Sequence, residues 1–454
     1  MATREERLDT LAASLTGRLL RPGDDGYDEA RRVHNGLVDK RPALIARCRG
    51  TADVADAVRL AREEGLEVSV RGGGHNVAGR AVVEGGLMID LAEMKGIHVD
   101  PDARTARAQG GCTWAELNRE AALHGLAVTG GAISSTGIAG FTLGGGLGWL
   151  MGVYGLAADN LLSAEVVTAT GDVLNVGPGS HPDLFWALRG GGGNFGVVTS
   201  FEYRLHPVSW VVGGLVAHPF EAARDVLRFY RDFTASAPDE LTAFSGLVHA
   251  PDGSGAKLAA IVVCHAGPEE QAERDLAPLR AFGEPALVEI GPLPYPVMNT
   301  LLDAAYPRGA LNYWKSSFLG ELRDDFVETA VRRFETTPSP MNAILLEHFH
   351  GAVTRASPTE TAVQHRAPGY NMLITSVWLD PGATDENVAW TRETYEAFRP
   401  FFAERRWLNY LDDDDAADAV RAAYGPNYAR LLEVKRRYDP DNVFHLNHNI
   451  DPAG

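Results

Sequence analysis

The stretch LEVSVRGGGHN, residues 66–76, decides the fold. Its first five residues alternate between apolar and polar side chains, a pattern that predicts a β-strand. The predicted strand runs directly into three consecutive glycines. Because glycine tolerates positive φ angles, such a loop can turn its N–H groups inward as a nest for an anion such as a diphosphate. His75 follows these glycines and is therefore expected to face a ligand.

Two further glycine clusters lie in the same part of the chain, TGIAGFTLGGGLGWL at 136–150 and LRGGGGNFG at 188–196. A single cluster usually marks only a tight turn. Three clusters, each flanked by predicted strands, instead indicate a ligand site in which backbone lies close to the ligand. The third cluster matches GxGxxG, but it follows the helical run HPDLFWALRG and precedes a strand. That order argues against a Rossmann site for NAD, and no GxxxxGK[ST] motif supports a nucleotide triphosphatase.

The chain divides into unlike segments, which we predict to be domains at 1–207 and 208–405 and a C-terminal segment at 406–454. In the first segment, short strands alternate with helices. Thr51 is expected to cap one of these helices, and a capping box at Thr113 is expected to open another. In the second, longer helical patterns separate strand-like runs. This pattern is typical of an α+β fold with helices backing an antiparallel sheet. The tail contains a basic helix and then a polar segment.

Composition limits the classes of function. The 454 residues suffice for two domains, and 45% hydrophobic with 22% charged residues is typical of a soluble globular protein. No run approaches the length of a membrane span, and the charges scattered through the N-terminal residues predict a helix and not a secretory signal. The formal net charge of −18 argues against general affinity for nucleic acid or anionic membranes.

The cysteines and the acidic run point to neither disulfides nor metals. Cys48, Cys112 and Cys264 are far apart, odd in number and form no CxxC motif. This usage predicts a reduced, cytoplasmic protein without a zinc site. The acidic run at 412–415 is predicted to be a solvated surface, since loops that bind hard cations interleave their ligands with turn residues.

Four stretches together resemble the FAD-linked oxidases of the vanillyl-alcohol oxidase and berberine-bridge group: RGGGHN, TGIAGFTLGGGLGW, HPDLFWALRGGGGNFGVVTSFEYRL and NYARLLEVKRRYDPDNVFHLNHNI. The resemblance holds in order and spacing over almost the whole chain, and it fits bacterial members with a single covalent flavin bond. It implies a two-part FAD-binding domain, a substrate domain, and a C-terminal segment that returns to the FAD domain. It also implies FAD, a small-molecule substrate and dioxygen as partners, in a monomer or homodimer.

The resemblance assigns the flavin attachment to His75. Family members bond the flavin 8α-methyl carbon to the histidine of the RGGGH loop, and a neutral imidazole is a good nucleophile near neutral pH. Many relatives add a second bond through a cysteine at the position of Ile133, so attachment through His75 alone is implied. Cys112 lies too far along the chain to replace that cysteine. The other implied FAD contacts are Arg71, Gly72, Gly73, Gly74, Asn76, Thr136, Gly137, Gly140, Gly146, Gly193, Val198 and Asn449.

The substrate site is expected around Tyr410 and Glu347. Sugar and polyketide oxidases of the group use a tyrosine at the place of Tyr410 as the base, whereas nicotine-type relatives have asparagines there, which argues against an amine substrate. The alternative is that Tyr410 is an aromatic residue of the core whose hydroxyl is hydrogen-bonded within the protein. In the strand NAILLEHFHGAV, side chains alternate between the two faces, so Glu347 and His348 lie on opposite faces. Glu347 then faces either the flavin or a solvated edge. Tyr313 and Tyr370 are further pocket candidates.

The resemblance implies an enzyme that takes hydride from a C–H bond of a small alcohol, sugar, amine or secondary metabolite to FAD, with dioxygen as the final acceptor. A dehydrogenase or an oxygenase with the same cofactor is the alternative within enzymes. A flavin-binding protein without turnover is the alternative outside them.

Overall fold

The structure is a computed structural model that describes residues 3–403, 405–412, 414 and 417–454. Its α-helices are α1 Arg4–Ser14, α2 Tyr27–Arg31, α3 Thr51–Glu64, α4 Trp114–Ala122, α5 Ile138–Leu143, α6 Met151–Tyr154, α7 Pro182–Leu188, α8 Ala223–Thr234, α9 Glu269–Ala281, α10 Tyr295–Met298, α11 Asp324–Glu335, α12 Ala352–Arg355, α13 Thr384–Phe398, α14 Ala417–Tyr424 and α15 Tyr428–Tyr438. Short 3₁₀ helices span Ala157–Asn160, Phe220–Ala222, Asp303–Ala305, Pro381–Ala383, Arg399–Phe401, Leu408–Tyr410 and Gly425–Asn427.

Two sheets form the N-terminal part. The first contains β1 Arg18–Leu20, β2 Leu44–Arg47, β3 Val68–Arg71 and β4 Leu87–Asp90, in the order β1-β2-β4-β3, with β4 parallel to both β2 and β3. The following strands are β5 Ile97–Asp100, β6 Thr105–Gln109, β7 Leu126–Ala127, β8 Leu161–Val167, β9 Val173–Val176, β10 Val197–Arg204 and β11 His206–Pro207. Of these, β7 and β11 pair with each other, and the rest form an antiparallel sheet in the order β5-β6-β10-β8-β9.

A seven-stranded antiparallel sheet forms the second part. Its strands are β12 Trp210–Pro219, β13 Leu241–His249, β14 Lys257–His265, β15 Leu287–Pro294, β16 Leu311–Leu319, β17 Ala343–Phe349 and β18 Gly369–Trp378, in the order β15-β12-β14-β13-β17-β18-β16. Apolar side chains of α8, α11 and α13 pack with those of the sheet in one buried cluster. The predicted α+β class, with helices backing an antiparallel sheet, is confirmed.

The interior position of β17 decides between two interpretations of Glu347. This strand pairs with β13 on one side and with β18 on the other. Glu347 is only 6% exposed. The alternative that Glu347 lies on a solvated edge is therefore wrong, and the expected separation from His348 holds, since His348 stacks on His350 instead.

The structure confirms one predicted helix cap and contradicts another. Thr113 and Glu116 form the expected capping box at the start of α4. The start of α3 is different, because Gly50 is its N-cap and Thr51 is already helical. The Thr51 hydroxyl donates to Glu165 Oε1 at 2.6 Å. The prediction that Thr51 caps this helix is wrong, since its hydroxyl is used to join α3 to β8.

The C-terminal segment packs against the third glycine cluster. Lys435 of α15 is buried, and its Nζ donates to the carbonyl oxygens of Asn194 and Phe444 and to Asp439. Asn194 in turn donates to the carbonyl oxygen of His448 at 3.1 Å. These bonds place residues 447–449 beside the glycine cluster.

Cys48, Cys112 and Cys264 are all buried free thiols. Within the described ranges, no three His, Cys, Asp or Glu side chains are grouped as a metal site. No helix in the described part of the chain has the length and apolar character needed to cross a membrane. Of the acidic run at 412–415, residues 413 and 415 lie outside the described residues.

Candidate active site

Loops from all three glycine clusters meet at one cavity. The first two touch directly, because a Cβ atom on Gly73 would lie 2.4 Å from the backbone nitrogen of Gly137. Gly193 of the third cluster lines the same cavity, where a Cβ atom would lie 2.6 Å from Asn447 Nδ2. A Cβ atom on Gly140 would meet no atom within 4 Å. Close approach between loops thus requires glycine at Gly73 and Gly137, whereas Gly140 keeps the cavity open.

Most of the residues predicted to contact the ligand line this cavity. They are Gly72, Gly73, Gly74, His75, Asn76, Thr136, Gly137, Gly140, Gly193 and Val198, together with Tyr410. Arg71, Gly146, Asn449 and Glu347 do not belong to its lining. Gly146 instead allows a turn at φ +74° in which Phe141 and Ala157 pack closely.

Arg71 holds the base of the first loop. Its guanidinium binds both carboxylate oxygens of Asp90, at 2.8 and 2.6 Å, and also donates to the carbonyl oxygen of Arg32. Arg71 and Asp90 are partners in the parallel register of β3 and β4, and Asp90 is fully buried. A buried bidentate ion pair is well suited to fix a strand end. Arg71 therefore positions the loop, and its side chain is directed to protein partners.

His75 lies at the meeting point of the first two loops. Its Nε2 is 2.9 Å from Ser135 Oγ, and its Nδ1 is 3.4 Å from Thr136 Oγ1. The ring stacks on His34 with centroids 3.9 Å apart. Burial, and then the neighbouring His34 and Arg308, lower the pKa of His75 to about 3. The imidazole is therefore neutral at physiological pH and keeps a nitrogen lone pair for bond formation.

The second possible attachment point carries no thiol. Ile133 lines the cavity beside Thr136. Cys112 is buried elsewhere, with its Sγ near the carbonyl oxygens of Met94 and Gly96 at 3.9 and 3.8 Å. Burial raises the pKa of the Cys112 thiol to about 11, so the thiolate that a sulfur bond would need is disfavoured.

Tyr410 and Glu347 form a hydrogen-bonded pair at the cavity wall. The Tyr410 hydroxyl donates to Glu347 Oε1 at 3.0 Å, and Asn371 Nδ2 donates to Glu347 Oε2 at 2.6 Å. Burial raises the pKa of Glu347 to about 7, although both hydrogen bonds act to lower it. Burial and then Glu347 raise the pKa of Tyr410 well above its usual range. The carboxylate is thus the group of this pair that can hold a proton near neutral pH.

The two weaker tyrosine candidates lie outside the cavity lining. Tyr370 hydrogen-bonds to Thr234 at 3.0 Å between their hydroxyls, on the helix-covered side of the sheet. Tyr313 donates to Asp414 Oδ2 at 2.6 Å. Neither side chain reaches the residues that meet at His75.

Sequence reasoning missed several residues of the cavity wall. Trp314 lies edge-on to the Tyr410 ring, with centroids 6.2 Å apart. Nε2 of His448 and Oδ1 of Asn409 are buried at the wall and have no hydrogen-bond partner among the described protein atoms. The tail motif NHNI contains His448, but nothing in the sequence distinguishes it from Asn449 as the residue that faces the cavity. Further wall residues are Arg80, Trp407, Tyr424 and Asn447.

Comparisons with known proteins identify the family. Residues 42–177 match the family described as FAD binding domain, and residues 407–451 match the family described as Berberine and berberine like. The (R)-6-hydroxynicotine oxidase of Paenarthrobacter nicotinovorans is 34% identical, over 97% of this chain and 98% of that protein. The chain belongs to the berberine-bridge-like family of FAD-linked oxidoreductases. An FAD-linked oxidoreductase of Dictyostelium discoideum is 30% identical over 97% of this chain and 95% of its own length.

Solved structures of relatives share the whole fold. The 6-hydroxy-D-nicotine oxidase of Arthrobacter nicotinovorans superposes with a TM-score of 0.88 at 33% identity, covering 97% of this chain and 98% of that one. A glucooligosaccharide oxidase of Acremonium strictum, described with a 6-S-cysteinyl, 8α-N1-histidyl FAD, has a TM-score of 0.87 at 25% identity and covers 98% and 99%. These comparisons confirm the predicted α+β fold class and the predicted membership of the FAD-linked oxidase family.

The cavity of this FAD-linked oxidoreductase suits FAD. Its floor consists of glycine backbone, which allows a flat or charged group to approach closely. The unpartnered buried atoms of His448 and Asn409 require hydrogen bonds from a ligand or water. The neutral imidazole of His75 lies within the same lining. The assignment of individual residues to parts of the cofactor stays a prediction.

Replacing Gly73 with alanine is expected to separate the first two loops. The new Cβ atom would lie 2.4 and 2.5 Å from the backbone N and Cα of Gly137, neither of which can rotate away. We expect a loss of about 1–3 kcal/mol in stability from overpacking and less than half of the normal flavin content. The ratio of flavin to protein absorbance and the Tm measure both effects. Gly179→Ala is the matched control, since nothing lies within 4 Å of its Cβ position. Normal flavin loading in Gly73→Ala would contradict the close approach.

Proposed function

We propose that this enzyme is an oxidase of small hydroxylated compounds that takes the substrate hydroxyl proton through Tyr410 to Glu347. The observation that carries the proposal is the 3.0 Å hydrogen bond between these side chains, in which Tyr410 lines the cavity and Glu347 lies behind it. When bound, FAD accepts hydride from the C–H bond that bears the hydroxyl and passes the electrons to dioxygen, giving hydrogen peroxide.

The proton path consists of two transfers that occur together. Tyr410 donates its hydroxyl hydrogen to Glu347, so the oxygen lone pairs of Tyr410 remain to accept a hydrogen bond from the substrate hydroxyl. As the C–H bond breaks, the substrate proton moves to the Tyr410 oxygen and the Tyr410 proton moves to Glu347. Tyr410 therefore never has to exist as a phenolate, which its raised pKa disfavours. The product leaves as a carbonyl compound, with one hydride and one proton removed.

Trp314 is suited to orient the substrate. Its ring packs edge-on to Tyr410, and its Nε1 has no hydrogen-bond partner among the described residues. The Trp314 ring lines the cavity beside Tyr410 and can pack against the substrate there. The described residues that line the cavity include no Asp or Glu, so nothing in that lining pairs with a cationic amine. This charge pattern favours a neutral alcohol over the amine implied by the name of the nicotine-oxidising relative.

We further propose that FAD is bonded covalently through His75 only. The neutral imidazole within the cavity lining supports the first bond, and Ile133 in place of a thiol supports the absence of a second. The glucooligosaccharide oxidase relative, in contrast, is described with both linkages. We also propose the division into an FAD domain at 1–207, a substrate domain at 208–405 and a returning segment at 406–454.

A peroxide-release screen over secondary alcohols, oligosaccharides, polyketide phenols and cyclic amines tests the proposed reaction. We expect turnover of a neutral alcohol with one hydrogen peroxide per carbonyl formed. Because Glu347 must be ionised to accept the proton, kcat should be low at acidic pH and should rise to a plateau through about pH 7, which follows the pKa of Glu347.

Other outcomes of the screen identify the alternatives. Turnover that requires an artificial acceptor, with slow reoxidation in air, would identify a dehydrogenase. Incorporation of labelled oxygen from dioxygen into the product would identify an oxygenase. A protein that binds flavin but is reduced by no compound in the screen would oppose catalysis of this kind.

A further inference from the structure

The segment that follows Tyr410 covers the edge of the substrate sheet. β16 is the last strand in the sheet order, and within that order its neighbour is β18. Asp412 lies along its other side and accepts a hydrogen bond from the backbone N–H of Trp314 at 3.3 Å. Asp412 is buried, with 6% exposure. The backbone of the strand that carries Trp314 is thus bonded to the segment that carries Tyr410.

Asp414 holds the side chains on either side of Trp314. Because strand side chains alternate, Tyr313 and Lys315 share one face, and Trp314 lies on the other. Asp414 Oδ2 accepts from the Tyr313 hydroxyl at 2.6 Å and from Arg392 of α13 at 2.8 Å, while its Oδ1 binds Lys315 Nζ. Arg392 also donates to the Tyr313 hydroxyl at 3.0 Å.

Because Lys315 is buried, the geometry of its ion pair with Asp414 matters for stability. Its side chain is only 7% exposed. An ammonium group removed from water requires a counterion held in good geometry. Burial would raise the pKa of Asp414, but hydrogen bonds from Lys315, Tyr313 and Arg392 outweigh that effect and lower it to about 2. The Asp414 carboxylate is therefore ionised at neutral pH.

We propose that Asp414 is a positioning residue for Tyr410. With Asp412, Tyr313, Lys315 and Arg392 it forms what we call the Asp414 clamp, which fixes the segment after Tyr410 to both sides of Trp314. The clamp sets the distance between the Tyr410 hydroxyl and Glu347, although none of its described residues lines the cavity. This inference rests on the proposed proton path and names the residues that keep the Tyr410 hydroxyl aligned with Glu347.

Chain geometry supports the coupling. Only a few residues separate Tyr410 from Asp414, and Tyr410 ends a short 3₁₀ turn whose preceding residue, Trp407, is buried. The segment is therefore held before Tyr410 by Trp407 and after it by Asp414. Release of Asp414 leaves the 3.3 Å bond from Trp314 to Asp412 as a described anchor after Tyr410, so the Tyr410 hydroxyl is held less firmly.

The clamp predicts a specific change in pH dependence. The hydrogen bond from Tyr410 lowers the pKa of Glu347, so weakening that bond must raise it. Among the described residues, Tyr306 and Tyr230 are further titratable groups that interact with Glu347, and both stay neutral because burial raises their pKa. No charged group of the clamp hydrogen-bonds Glu347, so the shift would report the Tyr410 bond.

The test compares Asp414→Asn with wild type on the best alcohol substrate. We expect kcat to fall about 100-fold, as misalignment of about 1 Å can produce, and the rise of kcat to move to higher pH, with little change in flavin content. Asp232→Asn is the matched control, since Asp232 is an exposed carboxylate paired with Arg231. An unshifted pH profile in Asp414→Asn would overturn the proposal.

A second variant separates positioning from stability. Asp414→Asn leaves Lys315 with less compensation and is expected to lower the Tm. The Lys315→Met, Asp414→Asn double variant removes both charges, which often restores stability. If the clamp positions Tyr410, the double variant regains Tm but keeps the low kcat and the shifted profile. A double variant that regains the wild-type profile together with its Tm would show a merely structural role.

Wild type and Glu347→Gln distinguish the two possible failures. If kcat of wild type does not rise near pH 7, or if Glu347→Gln shows the same rise, the proton path itself is wrong. If wild type shows that rise and Asp414→Asn shows it at the same pH, the proton path stands and only the clamp is refuted.

Discussion

Replacing Tyr410 with phenylalanine is expected to lower kcat for an alcohol substrate by a factor of about 10² to 10⁴, the usual contribution of a positioned acid or base. The ring and its edge-on packing against Trp314 remain, so the KM and the flavin content should change little. Loss of the hydroxyl removes the 3.0 Å hydrogen bond to Glu347 Oε1, which is the link of the proposed path that lies at the cavity. Stopped-flow measurement of flavin reduction isolates this step from reoxidation.

Glu347→Gln should produce a loss of similar size and a flat pH profile. Glutamine keeps the shape and can still bond to Tyr410 and Asn371, but it has no carboxylate to titrate near pH 7. Tyr370→Phe is the matched control for a lost tyrosine hydroxyl, because the Tyr370 hydroxyl bonds to Thr234 and lies outside the cavity lining. Full activity in Tyr410→Phe would refute its role, and a retained pH rise in Glu347→Gln would refute the carboxylate as proton acceptor.

His75→Ala is expected to abolish covalent flavin attachment. In wild type, acid precipitation should leave the flavin in the protein pellet, and a single flavin-bearing peptide should contain His75. In the variant, the flavin should appear in the supernatant, because the neutral imidazole at the meeting point of the first two loops is the proposed nucleophile. His124→Ala is the control, since His124 is exposed and lies outside the cavity lining.

Two results would contradict the proposed attachment. Flavin retained in the pellet of His75→Ala would mean that another residue forms the bond. A wild-type peptide map with flavin on a cysteine as well would refute attachment through His75 only. Both results can be read without any knowledge of the substrate.

The glycine clusters could be predicted because a run of glycines is visible in the sequence itself. The contact that requires glycine at Gly73 and Gly137 joins two loops distant in sequence, and only the structure shows it. The position of His75 follows from the strand and glycines that precede it. Alternation along β17 likewise placed Glu347 opposite His348 without any tertiary information. Each of these inferences depends on neighbours within a few residues.

The roles of Arg71 and Thr51 could not be predicted, because their partners are distant. Arg71 has the same neighbours in sequence whether it faces a cofactor or Asp90, and the parallel pairing of β3 with β4 brings Asp90 to it. In the sequence Thr51 stands where a cap is expected, but in the structure it is the first residue of α3 and its hydroxyl donates to Glu165 of β8. In both cases a strong tertiary partner competes with the local preference.

By itself, the sequence determined an α+β chain with a glycine-lined cavity, a histidine facing it, and two candidate groups for proton transfer. Only the tertiary structure decided that those groups are partners, since Tyr410 and Glu347 lie 63 residues apart. Periodicity determines which face of a strand a side chain occupies, but the order of strands determines what it meets. The placement of β17 between β13 and β18 buries Glu347 and raises its pKa, and the turn at Leu408–Tyr410 brings a hydroxyl to it. These are long-range contacts, and no local pattern encodes them.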